Sequence, residues 1–237
     1  MSRESAVFIT AHPDDVAFSA GGTAWLLKQK FDIHVICASR GERGLITSCK
    51  RKGWPPPTPE TADTRAKEEQ AACDLLGATL EFLDLPDGDI YPEREAIDKV
   101  GKTLAKIKPA IVLTHGPFEK KDHSAVFSIA YQALWKAQRF WETELCMFID
   151  GGTYNKTSPC ILVDISDVIE KKKELIRCHD SHLLGEEDVL KWIESSRIHG
   201  TKTFAEYAEA FFNPFPMVNK RWGRKPEVGR ILLELGS

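Results

Sequence analysis

The stretch Ala6-Val7-Phe8-Ile9-Thr10-Ala11-His12-Pro13-Asp14-Asp15-Val16-Ala17-Phe18-Ser19-Ala20-Gly21-Gly22-Thr23 decides the fold. Its first five residues form a short apolar run that reads as a buried strand. The residues from Val16 to Lys28 read as a helix. An imidazole and two carboxylates therefore fall in the first strand-to-helix turn. In an open α/β sheet, ligands bind there, outside the carboxyl ends of the strands.

His12 offers a neutral nitrogen and Asp15 a hard oxygen, a mixed pair that suits zinc or a similar divalent ion. Adjacent carboxylates repel unless a positive charge lies beside them. A metal supplies that charge and divides the labour: one carboxylate ligates, and the other stays free to take a proton from water. Pro13 fixes its own φ and biases His12 away from helical geometry, which stiffens the turn. The blander alternative is an Asp serving as a helix N-cap, beside a histidine that is merely hydrogen-bonded. The five residues alone do not choose between them.

At 237 residues, 42% of them hydrophobic, the chain suffices for one sizeable α/β domain. A net charge of −3 gives no reason to expect nucleic acid or an anionic membrane as partner. No run is apolar enough to span a bilayer. The first residues lead into the strand without a signal-peptide pattern. Cys37, Cys49, Cys73, Cys146, Cys160 and Cys178 form no C-x-x-C pair and read as reduced. The expectation is a cytoplasmic protein.

Further strands are read at Ile33–Ala38, Leu80–Leu85, Ala110–Thr114, Glu144–Ile149 and Cys160–Asp164. Gly151-Gly152 and Asn155 mark the turn between the last two. His34 reads as a structural histidine. Helices are read at Thr58–Leu76, with Gly77 as C-cap, at Glu93–Ile107, Ser124–Gln138 and Glu186–Ile198, and from Lys171 to Arg177. Strands alternating with helices at this spacing mean βαβ units and a parallel sheet. The loop Ser39–Gly44 is either a solvated turn or a rim that touches substrate. The proline-rich loop around Trp54 is long enough to form part of a lid. Residues 213–237 form a tail of unread role, with a basic arm and an oligomer contact both open.

Ala11-His12-Pro13-Asp14-Asp15 followed by Gly21-Gly22-Thr23 resembles the opening signature of the LmbE/PIG-L family, metal-dependent de-N-acetylases of amino-sugar conjugates. Thr64-Arg65-Ala66-Lys67-Glu68 resembles the family's arginine-bearing helix start, Pro86-Asp87-Gly88 its L-P-D-G segment, and Asp122-His123 the end of its H-P-D-H pattern. His179-Asp180-Ser181-His182 resembles a late H-x-S-Q segment, and Glu209-Ala210-Phe211 the closing E-A-F element. The resemblance implies a metal held by His12, Asp15 and His123, with Asp14 as general base. It places Asp122 beside them in the catalytic group, and Arg65, Asp87 and His179 against substrate. The first histidine of H-P-D-H, a stabiliser of the developing oxyanion, is Lys120 in this chain. Lys120 as a fixed cation, or His115 or His182 from elsewhere, would have to take that part. A surface Arg65 paired with Glu68 or Glu69 is the plainer alternative.

The expected fold is a Rossmann-like three-layer α/β sandwich with a mostly parallel sheet. The expected activity is zinc-dependent removal of an N-acetyl group from an amino-sugar or glycoconjugate; iron and manganese fit the same donors. A degenerate member that binds sugar or metal without turnover is the alternative. A dinucleotide-binding enzyme fits poorly, because its phosphate turn needs glycines where this turn holds His12, Asp14 and Asp15.

Overall fold

The computed structural model describes residues 3–44, 58–117, 119–140, 142–148, 161–202 and 204–213. The Trp54 loop, the Gly151-Gly152 and Asn155 turn, Cys49, Cys160 and the tail from residue 214 lie outside them.

Among the described residues, seven strands form one sheet: β1 (Glu4–Thr10), β2 (Phe31–Cys37), β3 (Thr79–Phe82), β4 (Ile111–Thr114), β5 (Glu144–Phe148), β6 (Ile161–Asp164) and β7 (Ala208–Phe212). Their order is β3-β2-β1-β4-β5-β7-β6. The first five run parallel, while β7 pairs antiparallel with both β5 and β6. The strand order reverses between β1 and β4, so their carboxyl ends open the crevice where such sheets bind ligands.

The helices that cover the two faces are α1 (Asp15–Leu27), α2 (Pro59–Leu76), α3 (Arg94–Ile107), α4 (Lys121–Lys136), α5 (Ile169–Arg177) and α6 (Glu186–Gly200). Successive residues of β1 serve opposite cores. Ala6 and Phe8 pack among residues of α1, α2, α5 and α6, whereas Val7 and Ile9 pack among those of α3 and α4. A strand buried on both faces needs this continuous apolar run, and it is the reason the first stretch is legible. His34 hydrogen-bonds Thr79 Oγ1 at 2.7 Å, a structural role as expected.

Among the boundaries that differ from the sequence expectation, two border the strand ends. β3 ends at Phe82 rather than Leu85: Asp84 adopts φ 59°, which breaks the extended run, although Leu83 N and Leu85 N still donate to Cys37 O at 2.9 Å and Ala38 O at 2.8 Å. α4 begins at Lys121, three residues early, so Asp122 and His123 stand in its first turn rather than in the loop before it. An acidic residue in a first turn is favoured by the helix dipole.

α1 is kinked at Ala20, whose φ of −145° is not helical. The two groups that an unbroken helix would pair, Gly22 N–H and Phe18 C=O, each meet a side chain instead. Gly22 and Thr23 donate to Glu209, and Phe18 O accepts from Lys172 Nζ at 2.9 Å. Lys172 and Glu209 also pair with each other at 2.6 Å, both buried. A Cβ on Gly22 would lie 2.7 Å from Ile165, so this glycine is required by packing.

Candidate metal centre

The turn after β1 is held by its own carboxylate. Asp15 Oδ2 accepts from Ala11 N at 3.0 Å and His12 N at 2.8 Å, and lies 3.0 Å from His115 Nε2. His12 Nε2 is taken by two acids, Asp87 at 3.2 Å and Asp122 at 3.3 Å. His123 Nδ1 is taken by Glu119 Oε2 at 2.8 Å. His115 stacks on His123, ring centroids 3.8 Å apart, and its Nδ1 lies 3.4 Å from the same Glu119 oxygen.

Three groupings of these residues bring potential ligand atoms within 4.8 Å of one another: His12–Asp15–His123, His115–Glu119–His123 and His12–Asp87–Asp122. Hydrogen bonding separates them. In the second and third, histidine nitrogens already face carboxylates at hydrogen-bond distance. In the first, the remaining atoms are uncommitted: His12 Nδ1, Asp15 Oδ1 and His123 Nε2. Asp15 Oδ1 and His123 Nε2 lie 3.6 Å apart, too far to hydrogen-bond. Two donors each about 2.0–2.2 Å from one zinc ion stand roughly 3–4 Å apart. The nitrogen, oxygen, nitrogen set fits a divalent ion, with Glu119, Asp87 and Asp122 in the outer positions that orient ligating histidines.

Charge follows the same division. Burial opposes ionisation of Asp15, but His115, His123 and His12 hold its carboxyl well below the usual range. Burial works against the His12 cation too, yet Asp122 and Asp87 raise it to about 10. His115 rises to about 9 against its burial, through Asp15 and Glu119. Glu119 falls to about 2 despite burial, through His115 and His123.

Asp14 faces a second group. It precedes α1 at φ 106° and ψ −25°, a left-handed conformation that costs a non-glycine residue of order 1–3 kcal/mol. Its side chain caps no helix N–H. Instead Oδ2 accepts from Arg65 Nη2 at 2.7 Å and lies 2.9 Å from His182 Nδ1, leaving Oδ1 uncommitted. Its backbone N–H donates to Glu69 at 3.0 Å, and Arg65 also donates to Pro13 O at 2.6 Å. These bonds hold the strained turn. Burial raises the Asp14 carboxyl, but Arg65 and His182 bring it below its ordinary value. Burial pushes Glu69 up to about 8.

The nine residues singled out in the sequence are distributed as follows. His12, Asp15 and His123 converge, and Asp14 stands in the same turn. Arg65 is only 3% exposed, so the surface pairing with Glu68 or Glu69 does not form. It donates to Gly41 O, Pro13 O and Asp14. Glu68 instead receives Ser181 N and Oγ, tying α2 to the turn that carries His182. Asp87 and Asp122 reach His12, and Asp122 also receives Gly88 N at 2.6 Å. His179 is buried behind Asp14, 3.7 Å from Glu69 and edge-on to Phe18, and burial lowers it to about 4. Lys120 is exposed at the N-cap of α4, and its side chain joins none of these contacts among the described residues. Sequence reasoning gave Glu119 no part and named Glu69 only as a surface partner. The i, i+4 spacing of Glu119 with both His115 and His123 is the signal that would have found the first.

The family model described as PIG-L, GlcNAc-PI de-N-acetylase, matches residues 7–134, more than half of the chain. The 4-oxalmesaconate hydratase of Pseudomonas putida is 31% identical over 140 residues, 57% of this chain and 54% of the hydratase, so the match spans about half of that relative. The diacetylchitobiose deacetylase of Thermococcus kodakarensis is 28% identical over 187 residues, 73% of this chain and 68% of the deacetylase. Among solved structures, a conserved protein of Thermus thermophilus superposes with a TM-score of 0.74 at 24% identity, covering 94% of this chain and 100% of its own. That likeness establishes the fold.

Proposed function

This chain belongs to the PIG-L family, and on that premise we propose that it is a metal-dependent hydrolase that removes an N-acyl group, acetyl above all, from an amino-sugar conjugate. The observation that carries the reading is the set of three uncommitted ligand atoms on His12, Asp15 and His123, beside an Asp14 with one oxygen fixed and one free. A bound zinc, iron or manganese ion would supply a Lewis acid that polarises the amide carbonyl and makes water acidic enough to give up a proton near neutral pH.

The chain's own residues do the rest. Arg65 and His182 keep Asp14 ionised at rest, so it starts as a base. Asp14 Oδ1 takes a proton from the attacking water and returns it to the departing amine nitrogen. The products are a carboxylate and a free amine. Arg65 spends three donor contacts on Gly41 O, Pro13 O and Asp14, which supports positioning of Asp14 over direct contact with substrate. Of the three groups weighed for the oxyanion, Lys120 is exposed and His115 is enclosed behind Asp15. His182, partly exposed and beside Asp14, is the better placed donor.

The 31% identity to a hydratase favours a second reading, in which the same Asp14 moves a proton while water adds across a carbon–carbon double bond. One experiment separates them. The purified protein is assayed for metal content, for acetate release from N-acetylglucosamine conjugates, and for loss of absorbance from unsaturated carboxylates. Acetate release that vanishes in Asp14→Asn, with metal content retained, is the expected result. Undiminished turnover in that variant removes Asp14 from the mechanism, and hydration without acetate release selects the second reading. Metal binding with neither activity identifies a non-catalytic member.

A further inference from the structure

We infer that Arg43 is an anion-recognition residue of this site, so that the substrate carries a phosphate or carboxylate beside its acylated amine. This deepens the hydrolase reading and rests on it.

The position of Arg43 is built. Its backbone N–H donates to Asp87 Oδ2 at 2.9 Å, and Asp87 N donates to Glu42 Oε1 at 2.8 Å, which zips the Ser39–Gly44 loop to the Pro86–Ile90 turn. The Arg43 side chain then lies across Gly88, which has φ +78°. A Cβ there would stand 2.5 Å from Arg43 Nη1 and 2.9 Å from its Cδ, so only bare backbone admits the guanidinium. Gly88 N in turn donates to Asp122 Oδ2, the oxygen 3.3 Å from His12 Nε2. The guanidinium is thus one peptide away from the acid that orients a proposed metal ligand.

Its charge reaches Asp89 only at a distance. Among the described residues Arg43 makes no ion pair, and its Nε is buried without a hydrogen-bond partner. The acids around it are engaged elsewhere: Asp87 with His12, Glu42 with the Asp87 amide, and Asp89 with Lys121 at 2.6 Å. Arg65 shows the contrast, with three protein acceptors. A buried donor on a charged group is costly to leave unmade. A planar fork of this kind matches the paired oxygens of a phosphate or carboxylate, which would complete it.

The test uses the metal-loaded full chain, its Arg43→Met variant and the charge-retaining Arg43→Lys. Inorganic phosphate and malonate are titrated calorimetrically into each. At least one of the two anions should bind wild type tenfold or more tighter than Arg43→Met, with Arg43→Lys intermediate, and the anion affected tells phosphate from carboxylate. Anions that meet only the metal bind all three proteins alike, and equal affinities for both probes overturn the proposal. With phosphate as the group held, N-acetylglucosamine 6-phosphate should exceed N-acetylglucosamine in kcat/KM, mainly through KM, and Arg43→Met should erase the difference. A protein that hydrolyses neither sugar but keeps the Arg43-dependent anion affinity retains the anion site and refutes the hydrolase reading instead.

Discussion

Replacing Glu119 by Gln asks whether the outer carboxylate sets the metal affinity. Glu119 is enclosed; Oε2 pairs with His123 Nδ1 at 2.8 Å and lies 3.4 Å from His115 Nδ1, without a hydrogen bond to it, while Oε1 accepts from Gly116 N at 2.9 Å. As a carboxylate it keeps the His123 proton on Nδ1, so Nε2 presents its lone pair toward Asp15 Oδ1. The Gln amide preserves shape and one acceptor but removes the charge, and its NH₂ can turn toward the imidazole. Loss of such an orienting partner weakens metal binding by about 10–100-fold. That is about 1.4–2.7 kcal/mol at 25 °C. Competition against a chromophoric chelator measures it directly, and thermal unfolding of the metal-free variant checks that it folds. The dissociation constant should rise within that range, while kcat of the fully loaded enzyme changes less. Wild-type metal affinity in a folded Glu119→Gln protein refutes the outer role and reopens the His115–Glu119–His123 grouping as the ion's own site.

Two other perturbations test the scaffold. Lys172→Met removes one partner of the enclosed Lys172–Glu209 pair, leaving Glu209 as an uncompensated charge at the α1 kink. The expected loss is about 3–5 kcal/mol, or roughly 10 °C in melting temperature for a domain of this size; a shift under about 2 °C by calorimetry contradicts the role given to the pair. Glu144 at the start of β5 is raised to about 7 by burial, against the hydrogen bonds from Cys146 and Asn213. Its folded state therefore holds a proton that the unfolded chain has released, and stability falls as pH rises from about 4.5 to about 7. Glu144→Gln should flatten that part of the urea-unfolding profile against pH, by no more than about 3 kcal/mol; an unchanged slope assigns the pH dependence to other groups.

The sheet was legible because burial on both faces writes itself as continuous apolar runs in β1, β2 and β4. The antiparallel insertion of β7 between β5 and β6 was not, because Ala208–Phe212 is short and its partners lie far away in the chain. The His12, Asp15 and His123 grouping was legible from strand-end position and from resemblance. Its surroundings were not. Arg65 could be read as a surface residue, since nothing in a helical heptad says that Pro13 O and Gly41 O will meet its guanidinium. Glu119 sits in a charged loop segment where solvation is the ordinary fate of a carboxylate. It becomes an inner residue only because α4 starts at Lys121 and swings His123 back over it. The kink in α1 was hidden too, because Gly21-Gly22 inside a helical pattern reports flexibility, not which side chains will replace the missing backbone bond.

Asp14 and Asp15 are adjacent and chemically identical, yet the fold gives them different surroundings. Asp15 is helical, and its Oδ2 is consumed by Ala11 N, His12 N and His115, which aims Oδ1 at His123. Asp14 takes a left-handed conformation that an ordinary N-cap would not need, and it makes no cap. That strain is sustained from outside the turn, by Glu69 on its N–H and by Arg65 on both its carboxylate and the preceding carbonyl. All three bonds come from one face of α2, at residues 65 and 69, one helical turn apart. The element that fixes the proposed base is thus not the one that carries it. Backbone strain and the buried Arg65 turn one carboxylate away from its neighbour, which is the separation that the proposed ligand and base roles require.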